Sequence, residues 1–177
     1  MRSRRALLFL MLAAAVALGA ALRWTTHAEL RAGDRVHALT SDDNYHLRRA
    51  RFAAAHFPRT ILFDPMMNFP SGGVPIWPPL FDLMLAAPAR LLHGAGATAF
   101  EVERGAAVVP VVLAGGTIAL AGLLGLEIFG VWGAGALALF VAVCPGHILW
   151  TQYGHTDQHV AESFCGLLVL WLFVASR

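Results

Sequence analysis

Four apolar runs, one long polar stretch and two short links set the hydropathy pattern of this chain. Residues 6–22 form 17 uninterrupted apolar positions behind Met1-Arg2-Ser3-Arg4-Arg5. At about 1.5 Å rise per residue this is the lower limit for crossing a hydrocarbon core. The stretch 23–103 carries Arg, Asp, Glu and His throughout and cannot lie in hydrocarbon. Residues 105–126 then run for 22 positions without a charge, and no charged residue occurs between Glu127 and Asp157. The last apolar run covers about 160–174.

The pattern predicts an all-α membrane protein with about four transmembrane helices, at 6–22, 105–126, 131–150 and 160–174. A long first external loop at 23–103 carries short helices, and a second external link covers 151–159. The basic residues of the 1–5 tail place the N-terminus in the cytoplasm by the positive-inside rule. A cleaved leader with processing near Gly19-Ala20-Ala21 is the alternative; the further spans favour an uncleaved first helix.

Within the loop, Ser41-Asp42-Asp43 marks a helix start, a capping hydroxyl followed by acids, and Pro58 marks its end. Asn68-Phe69-Pro70-Ser71-Gly72-Gly73 is a turn by composition. The apolar stretch 76–92 contains Pro78, Pro79, Asp82, Pro88 and Arg90, so it is read as an interfacial helix anchored by Trp77, not a span. With that reading, 105–126 and 131–150 make two crossings and return the chain to its starting side. Asp42-Asp43 and the 153–159 link therefore share one membrane face, outside the cytoplasm.

Composition agrees. The chain is 58% hydrophobic and 14% charged, with a net charge of +2 and mean hydropathy +0.62. Soluble domains average about 25% charged residues. The charge is too small, and the basic residues too scattered, for a nucleic-acid partner. Cys144 and Cys165 lie in apolar runs and read as small hydrophobes, not a disulfide.

The candidate chemistry is at the two polar clusters. Carboxylates suit hard divalent cations and imidazole suits several transition metals. Asp157 and His159, two apart in the link, are able to reach one ion, with Asp42 joining from the loop. The bland reading, a solvated connector and ordinary helix-cap acids, weighs about evenly for Asp157 and His159 and more heavily for Asp42 and Asp43. Glu162, at the start of the last span, must be paired, protonated or near the surface. Arg48, Arg49, Arg51 and Arg59 read as headgroup or solubility charges, with lipid-carrier phosphate as the functional alternative.

Three stretches then match one family in order: Asp42-Asp43-Asn44-Tyr45-His46-Leu47-Arg48-Arg49; Asn68-Phe69-Pro70-Ser71-Gly72 through Trp77-Pro78-Pro79-Leu80-Phe81-Asp82; and Gly154-His155-Thr156-Asp157-Gln158-His159-Val160-Ala161-Glu162. The chain resembles the N-terminal part of the oligosaccharyltransferase catalytic subunit of the single-subunit bacterial and archaeal type, within the lipid-sugar-dependent membrane glycosyltransferases. The resemblance implies a multi-pass protein of the cell (inner) membrane with its active face outside the cytoplasm. It implies metal-dependent transfer of a glycan from a polyprenyl-linked oligosaccharide donor to an asparagine sequon of an acceptor protein. Asp42 is the implied catalytic acid. Asp42, Asp157 and His159 are the implied ligands of a divalent metal (Mg or Mn). Asp43-Asn44 departs from the family's usual small residue or proline followed by tyrosine; counting back from Tyr45-His46 selects Asp42 over Asp43. Later family elements, including a further acidic ligand, a pyrophosphate-gripping basic residue and a soluble sequon-recognising domain, are not in these 177 residues. The expectation is therefore an N-terminal fragment, incomplete for catalysis alone. The alternatives are a lipid-dependent glycosyltransferase with another acceptor, and a non-catalytic truncated membrane protein.

Overall fold

The computed structural model describes residues 2–32 and 35–177. Met1, read as part of the N-terminal tail, and Gly33 and Asp34, read as part of the external loop, lie outside the described residues. The elements run α1 (Arg2–Arg23), α2 (His27–Leu30), β1 (Arg31–Ala32), β2 (Arg35–Val36), α3 (Ser41–His56), α4 (Leu80–His93), a 3₁₀ turn (Gly94–Gly96), α5 (Ala99–Val143), α6 (Pro145–Thr151) and α7 (His159–Ala175). β1 and β2 form a minimal antiparallel hairpin, with Arg31 opposite Val36.

Two helical stretches among the described residues are long and apolar enough to cross a membrane: Ser3–Leu30, which covers α1 from its second residue and runs through α2, and Ala99–Val143, which is α5. α5 is not one rod. At Gly130 the backbone takes φ 73 and ψ −164, outside helical values. Only a residue without Cβ adopts this readily. The sequence expectation of a break between two apolar segments is met there, one residue before position 131. The following arm, residues 131–143, is shorter than expected, because Cys144-Pro145 ends it. Proline cannot continue the hydrogen-bond ladder, but it suits the first turn of the next helix, and it opens α6.

The chain divides into two units: Met1–His27, Pro110–Tyr153 and His159–Arg177 in the first, Ala28–Val109 and Gly154–Gln158 in the second. In the first unit, the arms of α5 pack antiparallel about Gly130. A Cβ on Gly125 would lie 2.5 Å from the Gly133 carbonyl oxygen. One on Gly122 would lie 3.3 Å from Ala138 Cβ and 2.2 Å from Leu12 Cδ2. Small residues thus let backbones approach where lipid gives no hydrophobic drive between helices. Ala15, Ile118, Ala138 and Ala142 form the core of this unit, with Leu12, Val16 and Val141 against it. Phe9, Trp132, Phe140, Val169 and Phe173 are exposed, an outward face suited to hydrocarbon rather than water.

Arg23, fully buried, closes the same unit. Its guanidinium donates to Thr151 Oγ1 (2.6 Å) and to the carbonyls of Gly19 (2.8 Å), Ala142 (3.0 Å) and Val141 (3.4 Å), and meets His147 Nδ1 at 2.6 Å. The carbonyls of Val141 and Ala142 belong to the last turn of α5, where no intrahelical donor remains and the helix dipole favours a cation. Glu162 resolves as paired and exposed: its Oε2 is 2.9 Å from His159 Nδ1. Both cysteines are free and partly buried.

In the second unit, α3 buries Leu47, Ala50, Ala53 and Ala54, and α4 buries Phe81, Leu85, Ala86 and Ala89. α4 has 14 residues, about 21 Å, too short to cross a core of about 30 Å. It is a non-spanning helix, as its prolines predict.

Placing a side chain between the arms of α5 should be costly. Gly125→Val is expected to destabilise by about 1–3 kcal/mol through overpacking, read as a lower thermal midpoint in detergent. Gly146→Ala, with nothing within 4 Å of the added Cβ, should leave the midpoint unchanged.

Candidate functional site

The site is built at the start of α3. Its N-cap is Thr40, not Ser41 as the sequence suggested, and the box partner is Asp43 at the third helical position. Thr40 Oγ1 accepts from the Asp43 N–H at 3.2 Å, and Asp43 Oδ2 accepts from the N–H groups of Thr40 (2.8 Å) and Leu39 (3.0 Å). A capping box needs the acid three residues after the hydroxyl, which selects the Thr40–Asp43 pair. Asp43 is fully buried. Asp42, one position before it, points away from that interior and is exposed, with Ser41 Oγ at 3.5 Å from its Oδ1. The adjacent acids thus divide: Asp43 holds the helix start and Asp42 faces outward.

The link 154–158 enters the same unit. Gly154 has φ +84, and a Cβ there would lie 2.7 Å from Leu30 Cδ1. Its N–H donates to the Ala107 carbonyl at 3.0 Å. From that turn, His155 Nδ1 meets Asp43 Oδ1 at 3.0 Å, and Thr156 Oγ1 donates to the Asp43 carbonyl at 3.3 Å. The two acidic stretches are 112 residues apart in sequence at this contact.

The third stretch joins them. His46 Nδ1 lies 3.0 Å from Asp82 Oδ1, and Arg49 Nε donates to Asp82 Oδ2 at 2.7 Å. Asp157 and Gln158 are buried beside this group. Trp77 is half-buried and its ring lies tilted beside Tyr45, with ring centroids 5.0 Å apart. Arg48, Arg49 and Arg51 pair with Asp64, Asp82 and Glu103; of the three only Arg49 is buried, so it is not a surface charge. Arg59 is exposed. His46 is fully buried between Asp82 and Gln158. The helical spacing of Tyr45, His46 and Arg49 was visible in the sequence, but nothing there named their partners.

Electrostatics follow burial. Burial works against ionising Asp64, but Arg48, the Met66 N–H and Arg49 outweigh it and hold its carboxyl below the usual carboxylate range. Burial alone would lower the Arg49 pKa; Asp82 and Tyr45 more than reverse this, so it stays charged. Burial raises the Tyr45 hydroxyl, partly offset by Arg49. Among the described residues no three His, Cys, Asp or Glu side chains are already gathered as a metal site. Asp42 and Asp157 belong to the second unit, and His159 opens α7 in the first.

The family described as oligosaccharyl transferase STT3, N-terminal, matches residues 9–177, and the chain belongs to that family. It is 31% identical over 158 residues to dolichyl-phosphooligosaccharide-protein glycotransferase 2 of Archaeoglobus fulgidus, covering 89% of this chain and 26% of the relative. The fold is shared with an A. fulgidus oligosaccharyltransferase AglB solved with an inhibitory peptide and a dolichol-phosphate (TM-score 0.86, 22% identity, 95% of this chain, 19% of that one). It is also shared with an A. fulgidus oligosaccharyltransferase solved with Zn and sulfate (TM-score 0.84, 23% identity, 93% of this chain, 21% of that one). The chain spans about a quarter or less of the length of these relatives.

The two adjacent acids should separate by experiment. Asp43→Ala removes the acceptor of two backbone N–H groups and the His155 contact, and is expected to cost about 2–4 kcal/mol. Asp42→Asn should change stability by no more than about 0.5 kcal/mol. Thermal denaturation of both variants checks this. Asp64 sets an acid limb: its lowered pKa contributes stability that is present above about pH 4 and is lost as pH falls through the folded value. In Asp64→Asn the thermal midpoint should depend less on pH between 5 and 3 than in the parent.

Proposed function

We propose that this chain forms the front part of a membrane oligosaccharyltransferase. The enzyme transfers a glycan from a polyprenyl-linked donor to a sequon asparagine of an acceptor protein, on the non-cytoplasmic face. The observation that carries this reading is the contact of Asp43 with His155 and Thr156, which supports placing both acidic motifs at one site. Family membership supplies the reaction class. The relative's name, an oligosaccharide-protein glycotransferase using a dolichyl phosphate, agrees with the donor and the acceptor, and so do the dolichol-phosphate and peptide in the neighbouring structure.

Asp42, Asp157 and His159 are the proposed ligands of a divalent cation, Mg or Mn. Two carboxylates and an imidazole make a donor set such an ion accepts, and the neighbour solved with Zn is consistent with a metal in this fold. When bound, the cation supplies Lewis-acid charge stabilisation and a template for acceptor and donor. Asp42 is the catalytic acid of the proposal. Its exposed carboxylate accepts a hydrogen bond from the acceptor amide, holding the nitrogen toward the anomeric carbon. The C–N bond forms there as the bond from that carbon to the lipid phosphate oxygen breaks; the electron pair of the broken bond leaves with the phosphate, and the amide proton passes to the Asp42 carboxylate. Asp43, tied into the helix cap, keeps Asp42 in place without touching substrate. A multi-pass topology of four crossings in the cell (inner) membrane completes the reading, with α7 as one shorter span and the second arm of α5 together with α6 as another.

The test is transfer to an Asn-x-Ser/Thr peptide from a polyprenyl-linked donor, using the full-length gene product with Mn²⁺. Asp42→Asn should lower transfer at least about 100-fold, and chelation should abolish it reversibly. Full activity of Asp42→Asn would overturn the assignment. Transfer to peptides lacking the asparagine would move the acceptor to another class.

A further inference from the structure

Gln158 lies between two of the groups discussed above, and its amide is satisfied in one orientation only. Oε1 accepts from Trp77 Nε1 at 2.9 Å, while Nε2 donates to Asp157 Oδ1 at 3.0 Å and to His46 Nε2 at 2.9 Å. The reversed amide would set its oxygen against the Asp157 carboxylate. The orientation is fixed from further back. His46 Nε2 accepts, so its Nδ1 carries the proton and donates to Asp82 Oδ1 at 3.0 Å. Asp82 Oδ2 is held in turn by Arg49 at 2.7 Å. Gln158 retains 8% of its surface, Asp157 3%, and His46 and Asp82 none. At that burial each bond has a defined polarity and no solvent to substitute for it. All six residues belong to the second unit.

We propose that Gln158 is a positioning residue for Asp157, with its amide polarity set by the His46–Asp82–Arg49 relay and by the Trp77 indole. It touches neither substrate nor cation. One N–H fixes the rotation of the Asp157 carboxylate, and a carboxylate with fixed rotation binds a cation without ordering cost at the moment of binding. The inference rests on the proposed metal role of Asp157. It also gives a physical reason for three separate sequence stretches, around Tyr45-His46, around Trp77-Pro78 and around Asp157, to occur together: each supplies one part of a single hydrogen-bonded chain.

The experiment measures Mn²⁺ binding to the full-length gene product in detergent, by paramagnetic resonance of free Mn²⁺, beside transfer rates across a Mn²⁺ titration. Gln158→Leu is expected to weaken Mn²⁺ binding about 10- to 100-fold and to raise the Mn²⁺ midpoint of activity, with kcat at saturating Mn²⁺ near the parent value. Trp77→Phe keeps an aromatic ring there but removes the N–H donor to the amide oxygen, together with part of the ring volume. It is expected to fold normally and to shift the midpoint in the same direction by less. A merely structural role would lower the active fraction, and so kcat, without moving the midpoint; that result overturns the inference. Asp157→Ala is the reference. If it abolishes Mn²⁺ binding while Gln158→Leu and Trp77→Phe bind as the parent does, positioning fails and the metal assignment stands. If Asp157→Ala binds Mn²⁺ like the parent, the metal assignment fails and the inference falls with it.

Discussion

The Asp43 carboxylate is the interaction on which the second unit depends. It satisfies two backbone donors at the start of α3 and meets the imidazole of His155. Each group would be costly to bury alone: an unpaired carboxylate, an unpaired imidazole and two orphaned N–H groups. Together they satisfy one another. The consequence is geometric. A helix start has a defined direction, so anchoring the link on it fixes where 155–158 runs, and with it the buried position of Asp157.

The same logic extends inward. α3 presents Tyr45, His46 and Arg49 at helical spacing toward α4, whose Asp82 sits in its first turn among buried apolar residues. A carboxylate at that depth is tolerable only with full compensation. Arg49 and His46 provide it, one on each oxygen. This buried ion pair contributes specificity of arrangement more than net stability, because desolvation opposes most of the Coulomb gain. Arg48 with Asp64 and Arg51 with Glu103 follow the pattern at the margins, where one partner is partly exposed.

The first unit is held by different means. Its interior is alanine, glycine and a few branched side chains, and its few polar groups serve helix ends. Arg23 spreads its donors over carbonyls that the end of α5 leaves unpaired. Where lipid is the solvent, close backbone packing and saturated hydrogen bonding replace the hydrophobic drive.

The apolar runs were legible in the sequence because uninterrupted hydrophobic residues at 6–22 and 105–126 have few other uses. The end of α3 before Pro58, the break near Gly130 and the non-spanning character of α4 were legible for the same reason: proline, glycine and charge act locally. The likeness of three short motifs to the oligosaccharyltransferase family was also in the residues themselves. Partners were not. Both Ser41 and Thr40 offer a hydroxyl before the acids, and only the folded backbone chose Thr40. Two adjacent aspartates look equivalent in sequence, yet a single helical step, about 100° of rotation, buries Asp43 and exposes Asp42. Arginines that read as surface charges found carboxylates 16 to 52 residues away. Such pairings depend on which helix faces which, and that is decided by packing across the whole unit, not by any local run of residues.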